Sequence, residues 1–391
     1  MTDAVIVASA RTPIGRANKG SLVDVDAFEL ARVAVGAAIG RSGVDHRDID
    51  DIVLAESLQG GGVIGRYTAV TLGLVNVPGM ANNRHCAAGL SAVQIAASSI
   101  LAGMDRVVVA GGTESISSMP QGLKSSPASA RDYQPWMSAS HPETPEAPAF
   151  DMSLTVGENT SRLAGLTRTD LDQWAAYSQA NACASIESGA FEAEIVPVEV
   201  SDGQGGTRLF TTDEHPRAGT TVESLSALKP LHPELADATI TAGNSAGLND
   251  AAAAIVLTSS DYASAHGLAP LARIRAWASV GVDPVRTGLA PIEAIPKALA
   301  RAGLTLDDID LFEINEAFCS VPVAASRALN IDPSIMNVNG SGCSLGHPIA
   351  ATGARMVITM LGELARRDAT LGVVALCAGG GMGSALIVER I

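Results

Sequence analysis

Aromatic side chains are scarce in this sequence: they make up 3% of its 391 residues, although 47% of the residues are hydrophobic. The core must therefore be built from Ala, Val, Leu and Ile, a composition that suits helices packed closely on buried strands. A chain of this length is expected to form two or three domains of ordinary size and to bury a large core.

Long hydrophobic runs are missing as well, since no stretch approaches the eighteen unbroken apolar residues of a membrane-spanning helix. The amino terminus, MTDAVIVASART, lacks the basic segment and cleavage site of a secretory signal. The five cysteines form neither a CxxC pair nor an even-numbered disulfide framework. These absences predict a cytoplasmic protein with reduced thiols, no metal site and no membrane association.

Basic residues are outnumbered, because 26 Lys and Arg stand against 41 Asp and Glu and leave a net charge of −15. Nucleic acid is therefore not an expected partner, since its phosphates attract a basic surface. An anionic small molecule would need a local basic patch set against the overall sign of the charge.

Two short segments each place a reactive side chain at the start of a predicted helix: NNRHCAAGLSA holds Cys86, and SLGHPIAATGA holds His347. A helix N-terminus favours an anion, so this position is expected to lower the pKa of Cys86. A nucleophilic thiol also needs a base, and His347 is the candidate. The pair predicts covalent thiol catalysis.

The chain also contains an internal duplication. SGVDHRDIDDIVLAES matches AGLTLDDIDLFEINEA when Gly43 is laid on Gly303, and Cys86 then falls one residue before His347. Each half alternates strand and helix patterns, which predicts βαβ units with right-handed crossovers. The two-fold repeat should bring the starts of the two central helices, and hence Cys86 and His347, together.

An insertion interrupts the first half, so we divide the chain into residues 1–114 plus about 243–269, the insertion 115–242, and the second half 270–391. The insertion opens with a segment rich in Pro and Ser that is expected to be a loop. A helix should follow, capped by Thr167 or Thr169 and ending near Gly189.

A third segment, ALCAGGGMGSALIVER, holds Cys377 at the end of an apolar run, and a fourth, EINEAF, holds Asn315. With the segments around Cys86 and His347, in that order, the chain resembles a thiolase, an acyl-CoA acyltransferase of the condensing-enzyme superfamily, from Ala4 to Arg390. The resemblance implies an α/β fold of duplicated, layered α-β-α-β-α type, with two mainly parallel sheets and an inserted loop domain.

The resemblance also implies roles for the site residues. Cys86 would be the acyl-carrying nucleophile, and His347 its base. His347 and Asn315, acting through water, would hold the thioester oxygen of the carbanion. Cys377 would be the second acid and base, and the backbone N–H of Gly379 would join that of Cys86 in a second oxyanion hole. Coenzyme A thioesters would be substrates, and no cofactor is implied.

Contacts to acyl-CoA and CoA are expected mainly in and near the insertion. Arg217 matches a family arginine near the nucleotide, and His232 stands where an aromatic residue usually touches the adenine. Ser245 and Ala246 are transposed relative to the family's pantetheine-anchoring order, so Ala246 cannot supply that hydroxyl. The floor of the acyl pocket would come from residues such as Met119, Met152 and Leu154.

Two other classes of protein share this kind of sequence. A ketoacyl synthase would carry a histidine or asparagine partner set where this chain has Cys377. A thiolase-like protein that binds acyl-CoA or sterol-CoA without turnover would have no reason to keep all four chemical groups. Within thiolases, the acetoacetyl-CoA type and the degradative 3-ketoacyl-CoA type both stay open, and the resemblance implies a homo-oligomer, dimer or tetramer.

Overall fold

The computed structural model describes residues 2–126 and 129–391, and the side chains of residues 2–126 and 132–391. Within these residues the strands are β1 (Ala4–Arg11), β2 (Gly15–Arg16), β3 (Asp51–Ala55), β4 (Met80–Asn82), β5 (Val107–Ser115), β6 (Gly122–Ser126), β7 (Ser129–Trp136), β8 (Val198–Ser201), β9 (Thr207–Phe210), β10 (Asn249–Ser259), β11 (Ala272–Gly281), β12 (Leu311–Ile314), β13 (Leu371–Ala378) and β14 (Met382–Arg390). The helices are α1 (Ala27–Ser42), α2 (Ile64–Thr71), α3 (Ala88–Leu101), α4 (Asn159–Ala164), α5 (Arg168–Glu187), α6 (Val222–Ser226), α7 (Ser260–Ala265), α8 (Ala290–Ala302), α9 (Ser320–Leu329), α10 (Gly342–Leu345) and α11 (Ile349–Arg366). A π-helical turn at Ser153–Glu158 precedes α4.

Two half-sheets are joined edge to edge in the order β12-β13-β14-β11-β1-β10-β5-β3-β4, with β2 on β10. The junction between the halves is short, because β1 and β11 pair only through Val5 with Arg273 and Ile6 with Ala272. On its other edge Ala272 pairs with Arg390 of β14, so the first and last strands flank the same strand. The guanidinium of Arg273 bridges the carboxylates of Asp3 and Glu389 across this junction.

Three packed cores define the layers. The central core sets α3 and α11 between the two half-sheets, with Leu90 and Val357 among its helical residues and Val108 and Val374 among its strand residues. A second core packs α1 and α2 on the outer face of the first half-sheet, and a third packs α8 and α9 on the second. The predicted α-β-α-β-α layering of a duplicated fold is confirmed.

Strand directions are more mixed than the prediction of mainly parallel sheets. The pairs β3/β4, β3/β5 and β12/β13 are parallel, whereas β1/β10, β10/β5, β11/β14, β1/β11 and β13/β14 are antiparallel. Each parallel pair is connected through at least one helix, as a crossover between parallel strands requires. Antiparallel pairing follows where β13 turns directly into β14, and where β10 enters between β1 and β5. The β1/β11 ladder also links into one sheet what we expected to be two.

The insertion is more ordered than its composition suggests. The segment expected to be a loop contains the antiparallel pair β6/β7, in which Gly122 lies opposite Trp136. The predicted helix is confirmed as α5, which begins after the N-cap Thr167 with a reciprocal capping box to Asp170. No helix in the described part of the chain is long and apolar enough to cross a membrane.

Candidate active site

Cys86 lies in a tight turn between β4 and α3, two residues before the helix begins. His85 beside it has a left-handed backbone, with φ of 45°, and its N–H donates to the side-chain oxygen of Asn83 at 2.8 Å. The N–H groups of Ala87 and Ala88 close turns onto the carbonyls of Arg84 and His85. The turn leaves Cys86 partly exposed, whereas the following residue, Ala87, is fully buried.

The sulfur of Cys86 is surrounded by backbone donors but is poorly solvated. The N–H groups of Gly379 and of Cys86 itself both donate toward the thiol, as expected for an oxyanion hole. Desolvation nevertheless raises the pKa of Cys86 to about 11, and the negative charge of Glu114 adds to this shift. The expectation of a lowered pKa was therefore wrong, because the effect of burial is larger than that of the two N–H donors.

Cys377 lies at the end of β13, just before the hairpin that leads to β14. Gly380 and Gly381 both have positive φ, and a Cβ at Gly381 would lie 2.1 Å from the carbonyl oxygen of Val282, so this turn requires glycine. Burial raises the pKa of the Cys377 thiol, and the proximity of Cys86 raises it further. The hairpin thus holds a protonated second thiol beside the first one.

His347 precedes α11 in a turn fixed by Gly346, whose φ is 106°. The His347 N–H donates to the side-chain oxygen of Asn249 at 3.0 Å. The imidazole is 7% exposed, and burial lowers its pKa to about 3, with a smaller effect from the charge of Arg355. His347 is therefore neutral at physiological pH.

Two polar atoms at this position are buried without a partner in the described chain: Nε2 of His347 and Oδ1 of Asn315. The Asn315 amide nitrogen lies 3.5 Å from His347 Nδ1, so the two side chains adjoin. Buried polar atoms are normally hydrogen-bonded. Two unsatisfied atoms on adjoining side chains indicate a place where a water molecule or a substrate oxygen binds.

Glu114 connects the two halves of the site. Its carboxylate accepts from the N–H of Ala350 in the first turn of α11, at 3.2 Å, and from the N–H of Leu58 at 3.0 Å. Because Glu114 also acts electrostatically on Cys86, the starts of α3 and α11 lie around one carboxylate. Burial raises the pKa of Glu114 to about 7. Sequence reasoning missed this residue, although an acid that closely follows the apolar run VVVAGG is a usable signal.

A pocket of about 820 Å³ lies beside this centre and collects positive charge. Its lining includes three predicted residues, Arg217, Ser245 and Ala246, together with Cys343. Three further lining residues were not predicted, namely Arg16, Lys19 and His215. Burial lowers the pKa of His215 to about 4, and the charges of Arg217, Arg16 and Lys19 add to the shift. This is the local basic patch that an anionic ligand requires in an acidic protein.

The polar groups of this pocket differ in whether they already make hydrogen bonds within the chain. The hydroxyl of Ser245 donates to the carbonyl of Thr241 at 2.7 Å, and the Ala246 N–H donates to the carbonyl of Ala317. The Nε of Arg16, in contrast, is buried without a hydrogen-bond partner in the described chain. Arg16 therefore has a buried donor that is free for an anion. The Gly-rich segment after β1 that carries Arg16 and Lys19 was the overlooked signal.

A second pocket, of about 810 Å³, opens next to His85 and is lined by the apolar side chains of Met119, Trp136, Met137 and Phe150. The predicted residues Met152 and Leu154 are half-buried and line neither pocket. The ring of His232 lies 2.7 Å from the Ser153 hydroxyl and 2.9 Å from the Glu234 carboxylate, and it also lines neither pocket. The described residues contain no group of three or more His, Cys, Asp or Glu side chains arranged to hold a metal ion.

Comparison with protein families identifies matches along nearly the whole chain. Residues 4–261 match the family described as "Thiolase, N-terminal domain", and residues 268–390 match "Thiolase, C-terminal domain". The boundary between the two matches, at residues 261–268, lies close to the start of the second half of the duplication.

Curated relatives cover the entire chain. It is 42% identical over 396 residues to the acetyl-CoA acetyltransferase of Pseudomonas aeruginosa and 38% identical to the 3-ketoacyl-CoA thiolase of Bacillus subtilis, with 100% of both chains covered in each case. Among solved structures, human mitochondrial 3-ketoacyl-CoA thiolase matches with a TM-score of 0.91 at 33% identity, covering 100% of this chain and 99% of the other. The acetyl-CoA acetyltransferase of Bacillus anthracis matches with a TM-score of 0.89 at 37% identity and the same coverage.

Proposed function

The chain belongs to the thiolase family, and from this premise we propose how its residues carry out acyl transfer. It is an acyltransferase with thiolase activity on acyl-CoA and CoA. The observation that carries the proposal is that the Cys86 sulfur receives the N–H groups of Gly379 and Cys86 while a second thiol, Cys377, lies beside it.

In the first half of thiolysis, Cys86 is the nucleophile and His347 the base. The S–H proton passes to Nε2 of His347 as the sulfur bonds to the C3 ketone of a 3-ketoacyl-CoA. Neither group is ionised beforehand, since the thiol has a pKa of about 11 and the imidazole a pKa of about 3. Proton transfer therefore accompanies attack, and the N–H groups of Gly379 and Cys86 receive the negative oxygen.

Cleavage of the C2–C3 bond then leaves an acyl thioester on Cys86 and the enolate of acetyl-CoA. Asn315 and the protonated His347 hold the enolate oxygen, with a water as intermediary for Asn315. Cys377 donates its thiol proton to C2 and releases acetyl-CoA. The thiol form of Cys377 needed for this step is favoured by its burial.

In the second half, free CoA gives its thiol proton to the Cys377 thiolate and attacks the acyl-enzyme. Cys86 leaves as the thiolate and recovers its proton from His347. Every group then regains its starting protonation state. The reverse sequence joins two acetyl-CoA molecules into acetoacetyl-CoA.

We assign CoA to the 820 Å³ pocket, whose cations Arg16, Lys19 and Arg217 suit its phosphates. Ser245 and Ala246 stand on the same wall. We place the acyl end toward Met119 in the apolar pocket beside His85, and keep Met152, Leu154 and His232 as second-rank candidates for substrate contacts. Three further points stay predictions: a homo-oligomer, the division of the chain at residues 114, 242 and 269, and a cytoplasmic location, which the free thiols support.

The relatives' names support two substrate ranges: acetoacetyl-CoA, and longer 3-ketoacyl-CoA esters. The apolar lining of the 810 Å³ pocket favours the longer esters. The test is the intact mass of the protein after brief exposure to 3-ketoacyl-CoA esters of several chain lengths without free CoA, followed by peptide mapping. Without a thiol acceptor the acyl-enzyme should accumulate on Cys86.

The outcomes separate the candidates. Fastest loading by acetoacetyl-CoA indicates the short-chain enzyme, and fastest loading by longer esters indicates the broad one. A Cys86→Ala variant without any adduct is the matched control. An adduct on another cysteine would overturn the assignment of the nucleophile, and no adduct with any ester would overturn acyl-enzyme formation.

A further inference from the structure

The side chain of Thr352, in the first turn of α11, lies directly against the candidate base. Its hydroxyl oxygen is 2.7 Å from Nδ1 of His347, and the residue is completely buried. A hydrogen bond at Nδ1 influences which of the two ring nitrogens of His347 carries the proton.

The single hydroxyl proton of Thr352 has another acceptor. The hydroxyl lies 2.8 Å from the carbonyl oxygen of Pro348, one turn earlier in the chain, and a carbonyl can only accept. When the Thr352 hydroxyl donates its proton to the Pro348 carbonyl, its oxygen can only accept a hydrogen bond from Nδ1 of His347. The Asn315 amide at 3.5 Å is too distant to compete for that ring position.

From this geometry we propose that Thr352 is a positioning residue that keeps the neutral His347 protonated on Nδ1. The inference deepens, and rests on, the proposed role of His347 as a base. A neutral imidazole carries one proton, so an Nδ1–H tautomer leaves the lone pair on Nε2, the buried atom without a partner. The opposite tautomer would present N–H at Nε2, and Cys86 would then have no acceptor for its proton.

The low polarity of the site makes this hydrogen bond matter. With the imidazole nearly buried, water does not stabilise Nδ1–H in the place of Thr352. The same bond also stabilises the imidazolium that forms when His347 accepts the thiol proton. Thr352 thereby supports both the resting tautomer and the charged intermediate without touching the substrate.

The test replaces the hydroxyl while keeping the shape of the side chain. Thr352→Val should lower kcat by roughly tenfold to a hundredfold with little change in KM, because a buried Nδ1–H without an acceptor favours the wrong tautomer. Thr352→Ser should restore most of the rate, since it keeps the acceptor. Thr68→Val is the matched control, because Thr68 is also fully buried on a helix and its hydroxyl has no hydrogen-bond partner in the described chain.

The tautomer itself is read by ¹⁵N NMR of histidine-labelled protein, with His347 assigned by its absence in His347→Asn. We expect an Nδ1–H signature in the wild type and an Nε2–H signature in Thr352→Val, independently of activity. An Nε2–H signature in the wild type, or a Thr352→Ser rate as low as that of Thr352→Val, would overturn the inference. Should Thr352→Val not fold, Thr352→Ser and the wild-type tautomer still decide it. If His347→Asn keeps full activity, the failure belongs to the proposed base and not to Thr352.

Discussion

Gly89 of α3 and Gly353 of α11 face each other where the two central helices cross. A Cβ on Gly89 would lie 2.4 Å from the carbonyl oxygen of Ala350, and a Cβ on Gly353 would lie 2.3 Å from the amide nitrogen of Leu90. The two backbones are therefore in contact at this point. Gly89 follows Cys86 by three residues and Gly353 follows His347 by six, so the spacing of the helices sets the spacing of the reactive groups.

Gly89→Ala should therefore damage both stability and catalysis. We expect the free energy of unfolding to fall by about 1–3 kcal/mol, as for other overpacked cores, with a larger relative loss of kcat. Gly40→Ala in α1 is the control, because Gly40 has no atom within 4 Å of the added methyl group. Urea unfolding and steady-state rates of both variants check this, and equal behaviour of the two would contradict it.

The two thiols should be separable by half-reaction. Cys377→Ala should still form the acetyl-enzyme from acetyl-CoA, because CoA can leave as a thiolate without receiving a proton, but it should lose condensation to acetoacetyl-CoA, because the base that removes the C2 proton is gone. Intact mass follows the first step and product formation the second. Cys183→Ala, a half-buried cysteine on α5, serves as the control. If Cys377→Ala lost both steps equally, the division of labour would be wrong.

Burial of His347 predicts a pH dependence of stability. Its pKa falls from 6.5 in the unfolded chain to about 3 in the folded chain, so its contribution is present above pH 6.5 and is lost as the pH falls toward 3. Between pH 6.5 and 5, the wild type should lose about 1.4 kcal/mol per pH unit more than His347→Asn. Urea unfolding at pH 7, 6 and 5 measures this difference. Parallel curves for the two proteins would contradict a neutral, buried His347.

Glu114 should restrain the reactivity of Cys86 in a pH-dependent way. The Glu114 charge raises the pKa of the thiol, and Glu114 itself titrates at about pH 7. Glu114→Gln should therefore speed alkylation of Cys86 by iodoacetamide above pH 7 and leave it unchanged below pH 6. Glu199→Gln on the exposed edge of β8 is the control. A rate increase of the same size at every pH would point to altered packing instead of charge.

Removal of a pocket cation should weaken CoA binding without slowing the chemistry. Lys19→Ala should raise KM for CoA several-fold at unchanged kcat, and added salt should raise KM less in the variant than in the wild type, because screening acts on the missing charge. Arg47→Ala removes an exposed cation paired with Asp45 and should change neither constant. An unchanged KM in Lys19→Ala would move CoA out of this pocket.

Much of the fold was predictable because it is repeated in the sequence. The match of Gly43 with Gly303 indicated two equivalent halves, and the capping pattern at Thr167 placed the start of α5 correctly. Strand direction was harder to predict. β10 follows the long insertion in the sequence, and its position between β1 and β5 depends on tertiary packing, which no local sequence pattern predicts.

The site shows the same division between local and tertiary information. Motif order was enough to select Cys86, His347 and Cys377 as candidates, but the direction of the Cys86 pKa shift was predicted wrongly because desolvation depends on what covers the turn. Glu114 and Thr352 went unnoticed because their importance comes from contacts made across the fold. Arg16 and Lys19 lie far in sequence from Arg217, so their shared pocket is a tertiary property.

The short β1/β11 ladder that joins the half-sheets also brings the beginning of β1 close to the end of β14. Because Ala272 pairs with Ile6 on one side and with Arg390 on the other, Ile6 and Arg390 lie about two strand spacings, roughly 10 Å, apart. A linker of a few residues would span the gap between these two residues, and the chain could then be opened elsewhere, for instance in the exposed turn between β8 and β9. The order in which the two halves follow each other along the polypeptide is thus a matter of ancestry, whereas their spatial arrangement is what the chemistry needs.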